Sequence, residues 1–337
     1  MAARRMTVEC GARIFVIGVV LGLPLAVLLA RWVRPATELH ARIAEAGGWT
    51  PADLTVPVGQ PLRLRLTSDD VTHGFAIGQS DLPALDVEPG KVIETTLTFD
   101  RPGKYVFYCT RWCGLGHWRM RGAIEVTGPS SEPVTESPPL YVRLGINIDE
   151  PEKHREIDNA PHEKPSAVRG ASLGVIIPSD YLSTDYYRAH NPAEVWQSLR
   201  ADPISKELTD TDVWDLVAFV WQSNTSVEAL AEGGRLYAAN CAACHGETGA
   251  GDGVAAKALV NKERAATTEF GHSVQAPADF TGAHHMLGAS PALLQGKIIR
   301  GGMGTGMPYW GPIFTEAQTW ALVDYLWSFT FAYQEAS

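Results

Sequence analysis

The sequence predicts a multi-domain chain: one transmembrane helix, then an all-β sandwich, then all-α modules of which the first is a degenerate copy of the second. Three observations carry this. An uncharged apolar run stands near the amino terminus, period-2 alternation fills the next region, and helix-period segments that repeat one another fill the rest.

The run Ile14–Ala30 contains no charge, and Trp32–Val33 extend it past Arg31. The resulting span, 14–33, approaches the roughly 20 apolar residues that a bilayer requires. Arg4, Arg5 and Arg13 precede it, which keeps residues 1–13 cytoplasmic and sends the remainder across the cell membrane to the periplasmic or extracellular side. Arg31 and Arg34 weaken that asymmetry. A cleaved signal peptide is the competing reading, opposed by the length of the run and by the lack of a small-x-small site after it. Residues 35–50 read as a short helical connector.

Residues 52–127 read as the sandwich. Leu62, Leu64 and Leu66 alternate with Arg63, Arg65 and Thr67. Ile93, Thr95, Leu97 and Phe99 form a second alternating run that ends at the turn Arg101-Pro102-Gly103. Tyr105, Phe107 and Cys109 continue on one face. Residues 128–139, rich in Pro, Ser and Glu, form a linker that cannot bury a core.

Beyond the linker, Thr209–Trp221 and Thr315–Trp327 share Thr, Trp, Leu, Val and Trp at matching places. Pro178-Ser-Asp-Tyr181 parallels Pro277-Ala-Asp-Phe280, and Pro192-Ala193 parallels Pro291-Ala292. The change of offset makes the earlier copy shorter, with the shortfall around Gly301–Met307, and that copy contains no cysteine. One module is therefore present twice, at 140–226 without a cofactor and at 228–333 with one. Generic amphipathic spacing is the competing account of the match.

A formal charge of −10 argues against nucleic acid as a partner. The cysteines say more. Of the 5, Cys10 stands apart, and the rest form the short pairs Cys109/Cys113 and Cys241/Cys244 with His and Met close by. Such pairs read as metal or haem sites.

The segment Cys109-Thr-Arg-Trp-Cys113-Gly-Leu-Gly-His117-Trp-Arg-Met120 has the spacing C-x3-C-x3-H-x2-M, and Val71-Thr-His73-Gly-Phe lies upstream. Thiolate, thioether and imidazole together select copper, and two thiolates are able to bridge two copper ions. A disulfide or a zinc site is the alternative, and both leave Met120 without a role. These residues, with the turn at Arg101–Tyr105, resemble the copper-binding cupredoxin domain of cytochrome c oxidase subunit II. The resemblance implies a dinuclear CuA centre held by Cys109, Cys113, His73, His117, Met120 and the backbone carbonyl of Arg111. The family often carries Glu or Gln at the Arg111 position, a departure that alters local charge while leaving the carbonyl in place. A single anchor helix resembles the B-type oxidases.

Cys241-Ala-Ala-Cys244-His245 is the C-x-x-C-H signature of covalent haem attachment, with His245 as proximal ligand. Residues 228–333 resemble class I cytochrome c domains. The resemblance implies a methionine as sixth ligand, and Met307, followed by Pro and an aromatic residue, fits that form better than Met303. Adjacent His284 and His285 follow no ligand spacing. His154, His162, His190 and His272 read as solvent-facing loop residues.

Together these resemblances imply the electron-entry subunit of a haem–copper terminal oxidase. Electrons would pass from a soluble or membrane-bound donor (a cytochrome c or a cupredoxin) to haem c, on to CuA, and into membrane-embedded subunit I. Oxygen reduction belongs to that subunit, and no catalytic residue is expected in this chain. The small subunit of a CuA-containing nitric oxide reductase and a free-standing anchored redox shuttle are the alternative readings. Nitrous oxide reductase is excluded by the lack of room for a second, His-rich copper domain.

Overall fold

The structure is a computed structural model, and it describes residues 19–20, 35–80, 82–114, 116–129, 137–149, 159–258, 276–302 and 307–333, without the side chain of residue 284. The expected anchor at 14–33 lies almost wholly outside the described residues, as does most of the linker. Among the described residues no helix is long and apolar enough to cross a membrane.

Among the described residues nine strands build the first region: β1 (Thr37–Ala41), β2 (Trp49–Thr50), β3 (Asp53–Pro57), β4 (Leu62–Ser68), β5 (His73–Ile77), β6 (Leu85–Val87), β7 (Ile93–Leu97), β8 (Gly103–Tyr108) and β9 (Arg121–Thr127). They form a 4-stranded sheet in the order β2-β1-β4-β7 and a 5-stranded sheet in the order β3-β9-β8-β5-β6. Pairing is antiparallel except for β1 with β4 and β3 with β9. Alternation dictates the packing: Leu62, Leu64 and Leu66 point inward while Arg63 stays exposed. Leu54, Val56, Phe75, Phe107, Ile124 and Val126 answer them from the other sheet.

The reading of 35–50 as a helical connector is corrected here. Residues 37–41 are a strand in register with β4, from Thr37 opposite Leu64 to Ala41 opposite Ser68. Only Ala44–Ala46 are helical, as a single 3-10 turn. Leu39 and Ala41 are fully buried, so two apolar residues at period 2 outweighed the helix propensity of the alanines nearby. Trp49, also in this stretch, packs edge-on against both Phe75 and Phe107, so the sandwich starts well before residue 52.

The second region is helical: α1 (Leu140–Arg143), α2 (Ala167–Ser172), α3 (Thr184–Ala189), α4 (Pro192–Ala201), α5 (Asp210–Ser223), α6 (Val227–Asn240), α7 (Ala242–His245), α8 (Ala283–Met286), α9 (Pro291–Arg300) and α10 (Glu316–Thr330). Start signals are strong. Asn191 with Glu194, Thr209 with Asp212 and Thr315 with Gln318 form capping boxes, and Pro192 and Pro291 occupy the first turn of α4 and α9.

Among the described residues these helices pack on one hydrophobic cluster, whose buried members lie between Ala167 and Phe331. Within it α6 crosses α10 so closely that a Cβ on Gly233 would strike the Ala321 carbonyl. In the same way α2 crosses α5, and a Cβ on Gly170 would strike the Asp215 carbonyl. Ala321 and Asp215 occupy matching positions in the paired segments Thr315–Trp327 and Thr209–Trp221. The matched tryptophans Trp221 and Trp327 touch, with ring centroids 5.6 Å apart at 70°. Phe331 stacks on Trp327 and meets Trp221 edge-on. Tyr187 donates its hydroxyl to Asp324 across 2.8 Å. Finally Ala332 bridges Ser166 in parallel, with Ala167 N–H donating to Ala332 O and Ala332 N–H to Pro165 O.

Candidate copper and haem sites

The β8–β9 hairpin carries the sulfur loop. Cys109 follows β8, Met120 precedes β9, and the stem is closed by Cys109 N–H donating to Met120 O at 2.9 Å. The same Met120 carbonyl accepts from Trp49 Nε1, which anchors the loop to the opposite sheet. His73 enters from the first position of neighbouring β5 and is fully buried.

Within this pocket Cys109 Sγ lies 3.8 Å from His73 Nδ1, 4.0 Å from Cys113 Sγ and 3.2 Å from the Arg111 carbonyl. Cys113 Sγ in turn lies 3.6 Å from His117 Nδ1. The ligand atoms of His73, Cys109 and Cys113 all fall within 4.8 Å of one another. Both sulfurs are free thiols, and their separation is about twice the ~2.05 Å of a disulfide. Met120 is fully buried and His117 nearly so. The donor set of two thiols, two imidazoles presenting Nδ1 to sulfur, a carbonyl and a buried thioether fits copper. Zinc would leave the buried methionine unused.

Each donor is aimed by a neighbour. Asp70 Oδ1 accepts from His73 Nε2 at 2.7 Å, which fixes the tautomer and turns Nδ1 toward the sulfurs. Arg111 points its guanidinium outward into a bidentate pair with Asp86 on β6, at 2.8 and 2.6 Å, while its carbonyl faces Cys109. The loop residue that departs from the family pattern is thus pinned from outside. Electrostatics favour an ionised sulfur. Hydrogen bonding with Cys113, then with His117 and His73, holds Cys109 well below the usual thiol range against its burial, and the same contact together with burial holds Cys113 well above it. Burial works against a charged His73, but the Cys109 and Asp70 hydrogen bonds outweigh it and raise its pKa.

The haem-attachment segment sits at the junction of α6 and α7. Tyr237 near the end of α6 is buried and donates to the Gly246 carbonyl at 2.7 Å, closing the turn in which Gly246 takes a φ of 81°. His245 Nδ1 is 3.1 Å from the Ala278 carbonyl. A carbonyl only accepts, so Nδ1 carries the hydrogen and Nε2 keeps its lone pair for a metal. The ring stacks on Phe280 at 4.7 Å, and burial lowers its pKa, so the imidazole is neutral. Burial also pushes Cys241 up to about 12 and raises Cys244. Met307 packs against the helical core and its carbonyl accepts from Gly302 N–H, whereas Met303 lies outside the described residues.

Comparison with known proteins meets this geometry at both places. Residues 48–127 match the family described as cytochrome c oxidase subunit II, periplasmic domain, and residues 230–330 match cytochrome c. The chain thus carries one stretch that matches a subunit II periplasmic domain and, after it, one that matches a cytochrome c domain. Two relatives from Thermus thermophilus are named cytochrome c oxidase subunit 2. Each is 40% identical over 84 residues, which is 25% of this chain and 62% or 49% of theirs. The chain therefore spans less than two thirds of the relatives it matches. Among solved structures, a chain of a haem–copper terminal oxidase dimer aligns at 25% identity, over 36% of this chain and 99% of its own, with a TM-score of 0.24. The periplasmic domain of subunit II (CoxB) of Bradyrhizobium japonicum aligns at 32% identity, over 22% and 54%, with a TM-score of 0.21.

In the subunit II domain the structure brings together five of the six groups singled out from the sequence around the sulfurs: His73, Cys109, the Arg111 carbonyl, Cys113 and His117. Met120 is buried at the foot of the same loop. Sequence reading missed the supports: Trp49, Asp70 and Asp86. Of these only Asp70 left a signal, as an acid three residues before the candidate ligand His73. In the cytochrome c domain Ala278 and Phe280 were also missed, although the Pro277–Phe280 repeat had marked their segment. His162 is exposed as expected. His190 is not a solvent-facing loop residue: it caps α3, half-buried and stacked on Tyr186 at 4.0 Å, because its Nδ1 finds the Tyr186 carbonyl one turn back.

Proposed function

We propose that this chain is the electron-entry arm of a haem–copper terminal oxidase, with a CuA centre in the subunit II domain and one covalent haem c in the cytochrome c domain. The observation that carries this reading is the pair of neighbouring thiols, buried Cys109 and half-buried Cys113, each facing an imidazole Nδ1, in a chain that also bears a C-x-x-C-H helix turn. Cys109, Cys113, His73, His117, Met120 and the Arg111 carbonyl would hold two coppers. Cys241, Cys244, His245 and Met307 would hold the haem. Bound there, both groups supply one-electron couples that need neither substrate atoms nor protons.

The chain's own residues supply rigidity around those couples. Asp70 holds the His73 ring, Trp49 and the β-stem hold the Met120 end, and the Asp86–Arg111 pair holds the carbonyl. Ala278 and Phe280 set the plane of His245. A fixed donor set changes little between redox states, which suits rapid electron passage. Subunit I is the partner we assign, with a cytochrome c or cupredoxin as donor. Span 14–33 would anchor the arm and leave both domains outside the cytoplasm.

The test is isolation of the complex from its native membrane, with metal and haem analysis and measurement of oxygen against nitric oxide consumption. Cyanide-sensitive oxygen uptake, with copper and haem c assigned to this chain, is the expected result. Nitric oxide turnover without oxygen uptake would transfer the arm to a nitric oxide reductase. A chain that purifies with no haem-bearing membrane subunit would be a free shuttle.

A further inference from the structure

The outer face of the 5-stranded sheet is not left to solvent. On β8, Tyr105 and Phe107 turn into the sandwich, while Val106 and Tyr108 turn outward and pack on the helical core. The contact continues at two points beside the candidate sites. At the start of β9, directly after Met120, Arg121 donates through Nη1 to the Tyr309 carbonyl at 2.9 Å. Its guanidinium also lies 5.1 Å from the ring centroids of both Tyr309 and Trp310. At the turn after β5, Gln79 N–H donates to Ile313 O at 2.8 Å, and its side-chain amide donates to the Gly311 and Phe314 carbonyls. Gly78 passes so near that a Cβ there would strike the Pro312 carbonyl. Burial lowers the pKa of Arg121, as expected for a cation removed from water.

Segment 309–314 is the direct continuation of Met307-Pro308. The residue after one candidate ligand therefore grips the residues just after another. We propose that Arg121 and Gln79 act as a lock that fixes the Met307–Phe314 segment on the copper-bearing hairpin, making the cytochrome c domain a docked part of the subunit II domain. The alternative is a tethered module that visits the copper site by diffusion, for which linker 128–139 would set the effective concentration. The lock rests on the proposed function for its purpose, though not for its geometry. With haem c held by Cys241, Cys244, His245 and Met307 and copper by the sulfur loop, the transfer would be of one electron from the first to the second, with no atom or proton moving. Arg121 and Gln79 are positioning residues that act through segment 309–314.

The experiment uses the full chain with measured copper and haem content. Amide hydrogen exchange across 309–314 is compared between the native protein, Arg121→Ala/Gln79→Ala and Arg121→Lys, each with and without copper. Alongside it, the rate of haem-to-copper electron redistribution after photoreduction is followed as solvent viscosity rises. A lock predicts a viscosity-independent native rate. The double variant should show exchange faster by about tenfold or more, the scale set by losing one charge-assisted hydrogen bond, and a slower rate that now depends on viscosity. Arg121→Lys, which keeps the charge, should recover part of both, with the copper spectrum and both potentials unchanged in that variant. Gly78→Ala, which wedges the same contact without touching Arg121, should loosen 309–314 in the same way and serves if the double variant fails to fold. Unchanged exchange in these variants, a viscosity-dependent native rate, or an altered copper spectrum without faster exchange would overturn the lock. A chain that binds no copper or haem would defeat the proposed function, and the exchange comparison would still decide the lock.

Discussion

The two helical copies meet the same packing demand with different material. In the cytochrome c domain the Gly233 crossing of α6 on α10 is followed by Cys241–His245 and a long excursion before Pro277. In the copy without cysteines, the Gly170 crossing of α2 on α5 is followed almost at once by Pro178. A second, shorter omission separates α4 from α5, as the sequence offsets required. Where Gln295 is buried on α9, the first copy has Trp196 stacked on Trp214 at 5.6 Å. Where Ala321 receives Gly233, the first copy has Asp215, held by Arg169 in two hydrogen bonds and by Ser166 N–H. In the first copy a stacked tryptophan pair and a local ion pair thus stand where the second has a buried glutamine and an alanine.

The sharpest way to break this comparison is to block both crossings. Gly170→Val and Gly233→Val each drive a branched side chain into a facing helix backbone, and each should cost more than about 3 kcal/mol. Because the core is shared, calorimetry should show one unfolding transition in both variants. Two transitions would mean the copies are independent. Next in size are Trp221→Ala and Trp327→Ala, at about 3–5 kcal/mol each. Since the rings touch, denaturant midpoints of the double variant should show a loss about 1 kcal/mol short of additive.

Asp324 gives a pH-dependent test of the contact between the copies. Burial raises its pKa from 3.8 to about 6, against the lowering effect of the Tyr187 hydrogen bond. The folded state thus holds the proton more tightly than the unfolded state. This group's stabilising contribution is complete below about pH 4 and is lost as pH rises through 6, a span of about 3 kcal/mol. Asp324→Asn should flatten stability between pH 4 and 6 and raise it above pH 6, as urea unfolding at several pH values would show. An unchanged slope would remove Asp324 from this role. Smallest and most symmetrical are the caps. Thr209→Ala and Thr315→Ala each open an equivalent box and should each cost about 1 kcal/mol by thermal melts. Unequal losses would show that one copy leans on its cap more than the other.

What could be read from the residues divides along physical lines. Ligand chemistry was legible because C-x3-C-x3-H-x2-M and C-x-x-C-H tie donor type to spacing within one loop. The sandwich was legible from β4 and β7, where one face meets water and alternation is clean. It failed at 37–50, where Leu39, Ala41 and Trp49 are buried but too few to reveal a period among alanines and glycines. Contacts distant in sequence, such as Trp49 to Met120 or Asp86 to Arg111, leave no local pattern. The same holds for the covered sheet face. Val106 and Tyr108 look like ordinary outward residues of a strand until the helices are seen upon them.

The bridge between Ala332 and Ser166 bears on biosynthesis. Synthesis runs from the amino end, so the partner that Pro165 and Ala167 need is made after every other described helix. Trp221 likewise waits for Trp327 and Phe331. The cysteine-free copy therefore remains an open half until its successor is complete, and Cys241, Cys244 and His245 are translated before the clasp that finishes the fold exists. The order of the genetic message thus leaves an interval in which the attachment cysteines precede a closed core.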